Sequence, residues 1–275
     1  MSTYTAQSRE PGRAPVPISD RRDAWWVHPL LIAITLLVFS VYALWRAFEG
    51  NFFLGTQALK YGAAIGPHYL SPFYSPPVYE WFPQAPGKYA LSPAFLVLIF
   101  PLSYRATCYY CRRAYYRAFF WDPPACAVGE MRAKHHLGYT GETRFPFLLQ
   151  NLHRFTLYCI LVVVAFHYAH LYQSLFYTDA TGAVHAGLGL GTLVLALDAA
   201  LLSLYVFSCH SWRHLVGGGI NRFSSAKTRW RLWKLVSALN VRHGLYFWLS
   251  LITVGVADLY VRLVATGAIA DVRFF

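Results

Sequence analysis

The chain has 275 residues, 56% hydrophobic and 18% aromatic, against only 13% charged. So little charge cannot cover the surface of a water-soluble domain of this size, which excludes a purely soluble protein. The net charge of +12 does not indicate nucleic-acid binding, because no soluble basic face is evident to carry it.

The first 24 residues are polar and lack the apolar core and small-residue cleavage site of a signal peptide. Residues 1–27 are expected to form a cytoplasmic tail without fixed structure. Five apolar stretches follow: Pro29–Trp45, Tyr89–Tyr104, Phe155–Tyr172, Gly187–Ser208 and Leu245–Ala265. Each approaches the roughly 20 residues needed to cross a bilayer. With their flanks the spans fall at about 28–49, 89–107, 150–176, 187–209 and 244–266. The predicted fold class is all-α: one integral membrane bundle of five transmembrane helices over residues 28–275. No internal repeat is read.

The basic residues set the direction. Nineteen Lys and Arg fall in the tail, the loop between spans two and three, the start of span three and the loop between spans four and five; five fall on the other side. By the positive-inside tendency the N-terminus is cytoplasmic and the C-terminus outside. The outer loop from Asn51 to Lys88 interleaves prolines with aromatic residues. Proline blocks helix and central strand, and aromatic rings favour the headgroup level. This loop reads as a stiff lid lying along the outer interface.

Four of the five cysteines lie at inner span ends or in an inner loop: Cys108, Cys111, Cys126 and Cys209. The cytoplasm is reducing, which favours metal binding or catalysis over a disulfide. Cys108-Tyr-Tyr-Cys111 begins just past span two, and His210-Ser-Trp-Arg-His214 just past span four. If each helix continues, each pair shares one face. Both spans run inward, so the two pairs sit at one depth and make a candidate four-ligand cage of Cys108, Cys111, His210 and His214. Cys₂His₂ suits a structural zinc ion, and it suits a Rieske-type [2Fe–2S] cluster. Cys126 and Cys209 are alternative ligands, as are His135 and His136.

Haem b is the competing redox centre. His167 and His170 lie in the outer half of span three with no histidine at that depth on another span. An inner haem could use His153 with His210, His214 or His243. Asp198 and Asp258 lie inside spans four and five, where carboxyl groups are costly and mark either a proton path or a protonated, hydrogen-bonded packing residue. In a transporter or assembly protein with a zinc site they would be transport residues.

Several strings resemble the membrane-anchor subunit of actinobacterial succinate dehydrogenase, respiratory complex II. They are Arg22-Asp-Ala-Trp-Trp-Val-His28, Tyr69-Leu-Ser-Pro-Phe-Tyr-Ser-Pro-Pro77, Cys108-Tyr-Tyr-Cys111 and Ser208-Cys-His-Ser-Trp-Arg-His214. The resemblance covers essentially the whole chain. It implies an anchor in the plasma membrane on whose cytoplasmic face a flavoprotein and an iron–sulfur subunit dock. It also implies a site where a quinone, expected to be menaquinone, is reduced. Many anchors of this kind bind haem b; this chain lacks the spaced histidines of a two-haem anchor, which favours the Cys/His cage. Candidate quinone contacts flank that cage: Tyr109, Tyr110, His153, Trp212 and Arg213.

Overall fold

A computed structural model describes residues 23–55, 57–58, 64–81, 92–121, 143 and 147–275. Cys126, His135, His136 and most of the N-terminal tail lie outside the described residues.

Helix α1 (Val27–Glu49) ends where Gly50 takes a left-handed conformation, φ 64°, and its N–H reaches the Arg46 carbonyl. Most of its large apolar residues, among them Leu31, Leu37, Val38 and Val41, are exposed, as suits a lipid-facing helix at the rim. Strands β1 (Gln57–Ala58) and β2 (Ala64–Pro67) follow, then a short helix α2 (Val78–Trp81). Helix α3 (Pro93–Thr107) opens on a Ser92 cap with Pro93 in its first turn. At Cys108 the chain bends by 82° into α4 (Tyr109–Tyr115). Then come α5 (His153–Gln173), the hairpin β3 (Phe176–Thr178) and β4 (Val184–Ala186), α6 (Leu190–Phe207), the short α7 (His210–Gly217), α8 (Lys227–Asn240) and α9 (His243–Ala265). Among the described residues four helices are long and apolar enough to cross a membrane, and the bent α3–α4 pair makes a fifth if counted as one span.

Polar contacts identify the two ends of the bundle. Glu49 at the end of α1 pairs with Arg262 near the end of α9 at 2.8 Å. Ser75 meets His170 near the end of α5 at 2.8 Å. Tyr69 packs against Gly191 at the start of α6. These groups share the lid end with the four antiparallel strands, ordered β1-β2-β3-β4. Thr107, His153, Ser208 and His243 gather at the opposite end.

Two expectations change here. The described part of the lid is not spread over the surface: Tyr69, Leu70, Ser71, Phe73, Tyr74 and Ser75 are all buried, so it plugs its end of the bundle. Its serine hydroxyls hold it there. Ser71 donates to Asp258, and Ser75 meets His170. Nor does a helix continue through the C-x-x-C. Cys108 is extended (φ −67°, ψ 128°), closing α3 and opening α4.

Candidate functional site

At the end opposite the lid, one arrangement occurs twice. Tyr104-Arg-Ala-Thr-Cys108 closes α3, and Tyr205-Val-Phe-Ser-Cys209 closes α6. Each cysteine sits in extended backbone at a helix break, Cys108 before α4 and Cys209 before α7. A histidine opens the next long helix in each half, His153 on α5 and His243 on α9. His153 stacks on Tyr104 at 4.6 Å, and His243 stacks on Tyr205 at 5.0 Å.

The hydroxyl preceding each cysteine orients the histidine of its own half. Thr107 donates its proton to the Ser103 carbonyl, so His153 Nδ1–H donates to Thr107 Oγ1 at 3.0 Å. Ser208 donates to the Tyr205 carbonyl, so His243 Nδ1–H donates to Ser208 Oγ at 2.8 Å. Both imidazoles therefore present an unprotonated Nε2. Those atoms face the thiols of the opposite halves: His153 Nε2 lies 3.1 Å from Cys209 Sγ, and His243 Nε2 lies 3.5 Å from Cys108 Sγ. The hydroxyls of Tyr104 and Tyr205 are buried in the same cluster beside the thiols and have no hydrogen-bond partner among the described residues.

The sequence-selected ligands divide. Cys108 is at this centre, and Cys111 is buried beside it in the same cluster. His210, at the start of α7, lines the same cavity as Cys108, Cys209, His153 and His243, and its ring lies 4.4 Å from that of the exposed His214. Partial burial, with His214 and Arg213 close by, holds the His210 imidazole below its usual pKa. Cys209, an alternative in sequence, is central, and so are His153 and His243.

Beside the centre opens a cavity of about 1090 Å³, whose lining includes Tyr109, Tyr110, His153, Asn151, Arg242 and Trp248. Three of the five candidate quinone contacts therefore line it. The other two do not: Trp212 packs edge-on against Phe207, and Arg213 lies over Trp233. Trp248 Nε1 donates to Tyr110 Oη at 3.2 Å, fixing one wall.

Residues 27–267 match the family model for the actinobacterial succinate dehydrogenase subunit SdhC. The chain belongs to that family. Among solved structures, a chain of the "Mycobacterium smegmatis Sdh1 complex in the apo form" is 39% identical, with 97% of this chain and 98% of that one covered and a TM-score of 0.78. No curated protein matches. The chain is thus a multi-pass membrane-anchor subunit of a succinate dehydrogenase and part of an electron-transport enzyme complex.

The donor set of the anchor fits a Cys₂His₂-bound group in chemistry: two thiols and two imidazoles with Nε2 free. Among the described residues, no three His, Cys, Asp or Glu side chains converge as a single ion needs. A two-iron cluster takes its ligands in pairs instead. Each imidazole here is paired with a thiol, so placing both imidazoles on one iron requires these side chains to turn. Haem fits less well, because each Nε2 that would be an axial ligand is turned to a thiol instead.

The intramembrane carboxylates also separate. Asp258 accepts from Ser71, from Arg46 Nε at 2.7 Å and from Tyr42 at 2.5 Å, so it is a tie-point rather than a transport residue. Neither oxygen of Asp198 has a hydrogen-bond partner among the described residues.

Proposed function

We propose that this anchor passes electrons from a docked iron–sulfur subunit to a quinone through a Rieske-type [2Fe–2S] cluster at the inner end of the bundle, held by Cys108, Cys209, His153 and His243. The observation that carries this reading is the twofold convergence of a thiol and an Nε2-free imidazole across two helix pairs. It keeps the Cys₂His₂ donor set expected from sequence but replaces Cys111, His210 and His214. A cluster so held would supply one-electron redox chemistry at the membrane surface.

The chain's own residues supply the rest. Thr107 and Ser208 fix the tautomers, leaving Nε2 as the donor atom on each ring. Tyr104 and Tyr205 exclude water from one flank by stacking on the imidazoles. Arg105 lies over the Tyr205 and Phe247 rings at 4.7 and 5.2 Å and bonds the Phe247 carbonyl and Ser250, which places a fixed positive charge behind the centre. The quinone ring enters the neighbouring cavity against the wall that Tyr110 and Trp248 form, with menaquinone the expected substrate. Succinate oxidation belongs to the flavoprotein partner, docked with the iron–sulfur subunit on the cytoplasmic face, which is the Cys/His end.

Electron paramagnetic resonance of the dithionite-reduced whole complex tests this reading. His153→Ala with His243→Ala should delete one signal and the matching iron, whereas His210→Ala with His214→Ala should leave both. The reverse pattern refutes the ligand assignment. A b-type band in the reduced-minus-oxidised optical spectrum, with no signal lost, refutes the cluster.

A further inference from the structure

A chain of polar groups leads from the plugged outer end toward the redox end, and nothing in the electron path uses it. It begins at Ser75 in the lid. Ser75 Oγ is 2.8 Å from His170 Nδ1 and 3.5 Å from His167 Nδ1. His167 Nδ1 lies 2.9 Å from the Val163 carbonyl, to which only an N–H can bond. The opposite nitrogen, Nε2, is thereby a free acceptor, and it faces Asp198 Oδ2 at 3.8 Å. Asp198 is 1% exposed and both its oxygens lack a hydrogen-bond partner among the described residues. Thr253 lies beside it but donates its hydroxyl proton to the Leu249 carbonyl.

A buried carboxyl without a partner is costly, and in a membrane interior such groups mark ion or proton routes. A cavity of about 40 Å³, lined by His167 and Arg105 together with the lid residues Pro72 and Phe73, is large enough for a water molecule. Arg105 itself stays protonated and carries no proton onward. It does bond Ser250 and lie over Tyr205, the ring on which His243 stacks. From His170 to His153, along α5, the route spans about 25 Å.

We propose that Ser75, His170, His167 and Asp198 form a proton conduit from the outer face to the redox end. Protons for quinone reduction then enter from the outside. The proposal rests on the quinone-reducing function above. Each quinone takes two electrons, delivered from succinate through the partner subunits, and two protons to become quinol. An imidazole with one protonated and one free nitrogen passes a proton by accepting at one and releasing at the other. Asp198 is the acceptor that faces His167, and a water in the cavity that His167 shares with Arg105 carries the proton past Arg105.

The test uses the whole complex in proteoliposomes with the succinate-oxidising subunits facing the medium and a pH-sensitive dye trapped in the lumen. With succinate and a short-chain quinone, the lumen of wild-type vesicles should turn alkaline in step with quinol formation. Asp198→Asn and His167→Gln should each cut that alkalinisation at least tenfold, while succinate oxidation with a water-soluble dye acceptor is unchanged. Wild-type quinol formation without lumenal alkalinisation, or full alkalinisation in both variants, overturns the conduit. If the wild-type complex oxidises succinate with the dye but forms no quinol, the quinone-reducing reading itself fails, and the conduit with it.

Discussion

Removing the Asp258 carboxylate should unlock the outer end of the bundle. That carboxylate accepts bonds from Arg46, Tyr42 and the lid residue Ser71, and both Arg46 and Asp258 have fully buried side chains. Breaking a buried pair by deleting one partner costs about 3–5 kcal/mol, because the other charge stays behind uncompensated. Arg46 would keep Glu49, so Asp258→Leu belongs at the low end, about 3 kcal/mol, or a factor on the order of 100 in the folded-to-unfolded ratio. Arg46→Leu should cost a similar amount by stranding Asp258. The double variant should cost less than the two losses added, by at least ~1 kcal/mol, since it leaves no lone charge between the two positions. Denaturant unfolding of the complex in lipid nanodiscs measures the three losses, and hydrogen exchange over residues 69–78 reports the lid. The reasoning is refuted if Asp258→Leu falls within about 0.5 kcal/mol of wild type, the range of ordinary surface changes. It is refuted also if the two single losses simply add.

Replacing both orienting hydroxyls, Thr107→Val with Ser208→Ala, removes the acceptors of the two Nδ1–H groups and should broaden or shift the resonance signal assigned to His153 and His243; an unchanged spectrum counts against their positioning role. A Cβ on Gly191 would lie 2.2 Å from Tyr69 Cε2, so Gly191→Ala should lower the denaturation midpoint of the complex, and Tyr69→Leu in the same chain should restore part of the loss. At the outer hairpin, hydrogen bonds from Thr181 and then His185 hold the Asp179 carboxyl well below its usual pKa. Its contribution is complete above the ordinary carboxylate range near ~4 and is lost as the pH falls below it. Exchange protection of residues 179–185 should therefore drop on acidification, and Asp179→Asn should remove that pH dependence.

Hydropathy made the helical membrane architecture legible, because lipid-facing helices such as α1 must be apolar wherever they meet the acyl chains. The lid was misread for a physical reason. Proline and aromatic residues describe local stiffness and amphipathicity, whereas its burial depends on Ser71 finding Asp258 187 residues away and Ser75 finding His170 95 residues away. The four ligands expected from spacing do not converge among the described residues, and Cys108 meets a different histidine. Spacing of three and four selected Cys108 with Cys111 and His210 with His214, and that logic requires an unbroken helix. The helix breaks at Cys108, and the meeting partners lie 135 and 56 residues apart. The readable signal was the repeated string of a tyrosine, two residues, a threonine or serine, and a cysteine, followed each time by a histidine opening the next long helix. The two copies share only three chemically similar positions, too few to stand out as a repeat.

The breaks explain why those positions suit redox ligands. A cysteine inside a regular helix meets backbone amides already spent on carbonyls four residues back. At a helix start the first amides are unspent. The Ser211 N–H lies 3.4 Å from Cys209 Sγ, and the Tyr110 and Cys111 amides approach Cys108 Sγ in the same way. Amides directed at sulfur stabilise the thiolate that an iron–sulfur ligand must become. Ending each helix one turn after its tyrosine therefore does two things at once. It frees amides for the sulfur, and it leaves the preceding hydroxyl able to orient the histidine. A substitution that straightened the α3–α4 bend would remove both even with all four proposed ligands intact, so the geometry of the breaks belongs to the proposed site as much as the side chains do.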